Sequence, residues 1–218
     1  THSGGLYRIF LTRDNEELVG GNAMSQRQLF LFGAPRIVVG GGRIALPRRK
    51  ALALLAYLAA TGTPHTRESL AALLWGDSDD QSANAYLRNA LWTLNKSLGS
   101  DWIDADGGTI SLNSAAIQVD VRSFMAFSAE AMRTSGPERL KRTALAMEIY
   151  AGEFMAGFNL PDASEFTNWQ ISMTESLQRS MIGILMLRAD EARIANDLFA
   201  ATDAAQRWFT LDPLDERA

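Results

Sequence analysis

Apolar residues recur at steps of three and four between residues 47 and 98, and this spacing predicts three consecutive helices. The first opens at Pro47, whose missing N–H costs nothing at a helix start, and closes at Gly62, with Leu52, Leu55, Leu58 and Ala59 as its buried stripe. Thr66 caps the second helix. Glu68 stands in its first turn, Leu70, Leu73 and Leu74 face inward, and Trp75-Gly76 ends it. The third, from about Ser82 to Leu98, sets Leu87, Leu91, Leu94 and Leu98 on one face and stops at Gly99.

Short β-prone runs flank this helical stretch. Leu29–Phe32, Arg36–Val39 and Arg43–Leu46 are separated by Gly33-Ala34-Pro35 and Gly40-Gly41-Gly42, which predicts a small antiparallel sheet. The triple glycine lacks the Lys and Ser/Thr of a phosphate-binding loop and reads as a hairpin turn. After Gly99, Trp102–Ala105 and Thr109–Leu112 flank Asp106-Gly107-Gly108 and predict a second hairpin. Three helices followed by a hairpin is the order of a winged helix-turn-helix. Beyond Asp120 the chain turns helical. Phe166, Trp169, Met173, Leu177, Met181 and Leu185 recur at three and four between Ala163 and Ala195, and Ala200, Ala201, Ala204 and Ala205 offer small surfaces for close helix approach. Stacked helix pairs of tetratricopeptide type are expected there. The fold class is therefore mostly α with small β-sheets, a winged helix followed by a tetratricopeptide-like domain.

The expected boundaries are 24–119 for the winged helix and 120–218 for the helical domain. Residues 1–23 carry Gly4-Gly5 and Gly20-Gly21 and read as a linker or a cloning-derived segment, with a natural start at Met24. A strand at Leu6–Leu11 is the competing reading of part of that segment.

The net charge of −4 is divided unevenly. From Met24 to Phe127 ten Lys and Arg stand against eight Asp and Glu, and from Ser128 onward nine stand against fourteen. A mildly basic half joined to an acidic half suits a nucleic-acid module followed by one that meets proteins. The chain has no Cys and only His2 and His65, which excludes disulfides and thiolate metal sites and agrees with a cytoplasmic location. Asp77, Asp79 and Asp80 lack the Gly and bidentate Glu of a calcium loop, so turn and capping roles are expected. No arrangement of nucleophile, base and acid stands out, and neither catalysis, a metal nor a cofactor is expected.

Opposite the leucines, the third helix is expected to present Arg88, Asn89, Trp92, Thr93 and Lys96. Arg and Asn suit bidentate contacts with guanine and adenine, Thr can touch a thymine methyl, and Lys can neutralise a phosphate. Trp92 has two readings: packing on a sugar or base edge, or partial burial against the sheet or a partner protein. Arg67, at the start of the second helix, lies where amides and cations together bind phosphate. Arg48, Arg49 and Lys50 sit at the wrong end of the first helix for its dipole, so they are either phosphate contacts or a solvated charge run. The hairpin turn at Gly107, Gly108 and Thr109 can reach an adjacent groove.

Pro47–Leu58, Arg67–Trp75, Asn84–Leu98 and Asp106–Leu112 resemble the DNA-binding half of the Streptomyces antibiotic regulatory protein family, itself similar to the winged helices of OmpR-type response regulators. Asp120–Phe124, Tyr150–Phe158, Trp169 and Leu211–Glu216 resemble, in order, landmarks of the bacterial transcriptional activator domain that follows it. The resemblance implies a transcription regulator of activating type. Its third helix would read double-stranded DNA in the major groove, its wing would touch the minor groove, and dimers would recruit RNA polymerase. This chain has Trp92-Thr93-Leu94-Asn95-Lys96 where family members carry two or three arginines, which predicts weaker phosphate attraction. The family also continues past the equivalent of Leu211–Leu214, so a longer regulator with its own regulatory domains is expected. The competing expectation is a protein-interaction module in which the winged helix no longer grips DNA.

Overall fold

A computed structural model of the chain describes residues 27–213 apart from Gly107 and Ala116. The expectations for residues 1–23, Met24, Gly107 and Leu214 onward lie outside the described residues. In chain order the first half contains β1 (Arg27–Phe30), β2 (Arg36–Val39), β3 (Gly42–Ile44), α1 (Arg49–Thr61), β4 (His65–Thr66), α2 (Arg67–Trp75) and α3 (Asp80–Leu98). A short 3-10 turn, β5 (Ile103–Asp106), β6 (Thr109–Leu112) and β7 (Ile117–Val119) follow. The second half is α4 (Asp120–Arg133), α5 (Gly136–Ile149), α6 (Ser164–Ile194) and α7 (Leu198–Leu211). This is the expected class, a winged helix followed by stacked helices.

The N-terminal sheet has four strands, in the order β3-β2-β1-β7. β1, β2 and β3 are the expected antiparallel meander, with Leu29 opposite Ile37 and Ile37 opposite Ile44. β7 joins β1 in parallel, Gln28 opposite Gln118, a fourth strand beyond the expected meander. The first strand also ends sooner than its apolar run. Leu31 and Phe32 leave the ladder because their N–H groups donate to the Asp120 carboxylate at 2.9 Å, and the Val121 N–H donates to it at 2.7 Å. One side chain in the first turn of α4 thereby fixes the end of β1.

The expected caps form. The Ser69 N–H donates to Thr66 Oγ1 at the start of α2, and the Ser82 N–H donates to Asp79 Oδ1 at the start of α3. Gly62 adopts the left-handed conformation, φ +66°, that ends α1 without a Cβ clash. α1 differs from the expected one-sided stripe. Ala51, Ala53, Leu54, Leu55, Ala56, Leu58, Ala59 and Ala60 are all buried, because a helix that is apolar all round needs cover on every side. α3 covers one side and α4 another.

In the second half α4 packs on α5, α5 on α6, and α6 on α7. Phe166, Leu177, Met181 and Leu185 of α6 are buried as the spacing predicts, whereas Trp169 and Met173 are half-buried. Of the expected alanine surface on α7, Ala204 is fully buried. The two halves are sewn together by the segment between α5 and α6. The Gly33 N–H donates to the Glu153 carbonyl, the Met155 N–H to that of Leu31, and the Ala156 N–H to that of Gly33. Aromatic rings close the seam: Trp169 lies 4.8 Å from Tyr57 and 5.7 Å from Phe154, and Phe32 lies 5.4 Å from Phe124. The buried side chains of both halves form one continuous core.

Candidate nucleic-acid interface

α3 is the element whose two faces differ most. Leu87, Leu91, Leu94 and Leu98 are buried, as are Ala83 and Ala90. Arg88, Asn89, Trp92, Asn95 and Lys96 are exposed along the opposite face. Arg88 forms no ion pair among the described residues. Trp92 is 60% exposed, which removes burial against the protein's own sheet as its role. The Lys96 ammonium sits 4.7 Å from the centre of its ring, a cation–π contact that orients both side chains.

Thr93, expected on this face, lies instead on the buried side. It is only 4% exposed, and its hydroxyl donates to the Asn89 carbonyl at 2.8 Å, one turn back. The leucine stripe shows which side of the helix turns inward, but not how far the buried arc extends around its flank. Asn95 is the residue missed on this ridge. Its separation from Arg88 and Trp92 by seven and three positions places it on their face, and an exposed amide is as suited to a base edge as that of Asn89.

The cations at the start of α1 divide. Arg49 Nη2 donates to the Asn159 carbonyl at 2.6 Å and to its side-chain Oδ1 at 3.1 Å, with the guanidinium 4.9 Å from the Phe158 ring. Lys50 pairs with Asp162 at 2.8 Å and lies 5.4 Å from the Trp75 ring. Both therefore hold the helical half instead of waiting for a phosphate. Arg48 remains exposed, and Arg67 is half-buried at the first position of α2.

β4, β6 and β5 form the sheet of the wing, with Asp104 opposite Ser111 and Asp106 opposite Thr109. Gly108 turns the hairpin at φ +89° and is exposed. Thr109 Oγ1 donates to the Asp106 carbonyl at 3.0 Å, so that hydroxyl is turned back into the hairpin. Between Ile103 and Leu112 the chain has two exposed acids, Asp104 and Asp106, and no cation. Such a wing is repelled by a phosphate backbone. Replacing both acids with Lys is expected to raise affinity for duplex DNA about tenfold at low salt, measured by fluorescence anisotropy; an unchanged affinity would place the hairpin away from the duplex.

Asp120 is the strongly perturbed carboxyl of this fold. Burial pushes it up to about 6, against the opposing pull of three backbone N–H groups and Arg36. It belongs to the seam between the halves and faces no open site, so its perturbation has a structural cause.

No protein-family model matches the chain, and no curated protein matches it. Among solved structures, the chain is similar to Mycobacterium tuberculosis EmbR in complex with a low-affinity phosphopeptide, with a TM-score of 0.69 at 15% identity. The match covers 88% of this chain and 52% of that one, so this chain spans about half the length of its neighbour. The likeness establishes the shared architecture, a winged helix followed by a helical domain. No helix among the described residues is long and apolar enough to cross a membrane.

Proposed function

We propose that this chain is a transcription regulator that binds duplex DNA through α3 and meets proteins, including RNA polymerase, a second copy or further regulatory domains, through its helical half. The observation that carries the reading is the open outer ridge of α3. Arg88, Asn89, Asn95 and Lys96 are exposed on one face of a helix whose other face is locked into the core, so the donors stand on a rigid support. Arg88, as a bidentate donor, is assigned to base reading, and Lys96 to a phosphate. Arg67 supplies a second backbone contact at the start of α2.

Two variants test the assignment on the promoter region upstream of the protein's own gene. Arg88→Ala is expected to weaken binding about tenfold and to relax base preference at one position, whereas Lys96→Ala weakens binding to all sequences alike and lowers the salt slope by about one. Parent-like binding by both variants would show that α3 is not the reader.

A second reading is a protein-interaction module. The acidic wing and the 60% exposed Trp92 favour it, because aromatic anchors dominate protein interfaces and anionic hairpins avoid nucleic acid. The two readings part at low salt: the module retains no affinity for any duplex, and the regulator retains it.

A further inference from the structure

A cleft of about 470 Å3 opens beside α3, between the winged helix and the helical half. Its floor is apolar, formed by Ala51, Trp75, Ala90 and Leu160. Tyr86 stands on one side, 47% exposed, with its ring 6.3 Å from that of Trp75 and tilted 37° to it. The rim is cationic. Arg48, Arg49 and Lys50 come from the start of α1, and Asp162 is the acid facing them. Asp162 is matched by Lys50, and Arg49 is held by the neutral Asn159, so the rim keeps an excess of positive charge. The positive end of the α1 dipole adds to it. No side chain caps α1 and no acid stands in its first turn, so nothing of its own offsets that positive end.

We propose that this cleft binds a small planar ligand bearing one anionic group. The ring lies against Tyr86 and the edge of Trp75, and the anion meets Arg48 and the first two amides of α1, those of Arg49 and Lys50, while the Ala51 N–H donates to the Arg48 carbonyl. The volume suits such a ligand, as does a mostly apolar wall with a few convergent polar groups. α1, α2 and α3 contribute one wall, and Leu160, Pro161 and Asp162 of the helical half contribute the other. An occupant therefore touches both halves at once, next to the proposed reading helix. The inference stands whether or not α3 binds DNA.

A titration of the full chain followed by amide NMR tests it, with naphthoate, naphthyl phosphate and the neutral naphthyl alcohol as probes. At least one anion is expected to shift Ala51, Leu160 and the Trp75 indole N–H together, and to bind about tenfold more tightly than the alcohol. The tighter of the two anions identifies the head group as carboxylate or phosphate. Arg48→Glu and Tyr86→Ala should each weaken the bound anion about tenfold, while Arg88→Ala, on the outer ridge of α3, leaves it unchanged. Both substituted positions in the cleft are exposed or half-exposed, so the variants keep the parent spectrum elsewhere. Shifts that fall outside the cleft, equal binding of anion and alcohol, or parent-like binding by Arg48→Glu would overturn the proposal.

Discussion

Asp120→Ala will lower the unfolding free energy by about 3 kcal/mol at neutral pH. The carboxylate accepts the N–H groups of Leu31, Phe32 and Val121, and alanine leaves all three without a partner at a buried seam. Each orphaned amide costs about 1–3 kcal/mol, and the relief of removing a buried charge, about 3 kcal/mol, offsets part of the sum. The titration gives a second signature. The folded carboxyl, at about 6, lies above its value of 3.8 in the unfolded chain, so the folded state holds the proton more tightly. The resulting stabilisation is fully present below pH 4 and is lost as pH rises through 6. Asp120→Asn keeps one acceptor oxygen and cannot titrate, so it should cost less than alanine and flatten that part of the pH profile. Urea unfolding between pH 4 and 8 measures both effects; a parent-like profile for Asp120→Asn would mean that the carboxyl is ionised throughout.

Phe154→Ala will cost about 3–5 kcal/mol, the usual range for deleting a fully buried aromatic ring. Phe154 lies on the segment that pairs with Leu31 and Gly33, and its ring packs edge-on against Trp169. Because the core runs unbroken from one half to the other, the variant should unfold in one transition at lower denaturant. Two separated transitions in urea, or a loss under 1 kcal/mol, would show that the halves are stable independently and that the seam is a weak contact.

Local chemistry in the sequence was a good guide where a helix is defined by its own residues. The leucines of α3, Thr66 as a cap, and Gly62 and Gly99 as stops act within one or two turns, and each stands where its spacing puts it. β7 was not legible, because a three-residue strand has no period to read and exists only through its pairing with β1, ninety positions earlier at Gln28–Gln118. The early end of β1 has the same origin: Leu31 and Phe32 are as β-prone as their neighbours, but a carboxylate far along the chain takes their amides.

The candidate site divides in the same way. Arg88, Asn89, Trp92 and Lys96 could be placed from helical spacing alone. Thr93 could not, since a position at the edge of the stripe is decided by what packs beside it. Arg49 and Lys50 were open to two readings, because their partners, Asn159 and Asp162, are 110 and 112 positions away. The acidity of the wing is plain in Asp104 and Asp106, and it weighs against contact through the glycines of the turn, which shape alone favours.

The salt dependence of binding tests most directly whether the outer ridge of α3 grips a duplex with few cations. With Arg67 and Lys96 as the phosphate-facing charges, log affinity for duplex DNA should fall with log salt at a slope of about −2, shallow for a DNA-binding protein. A duplex that fails to bind even at the lowest salt, or an affinity indifferent to salt, would contradict the account.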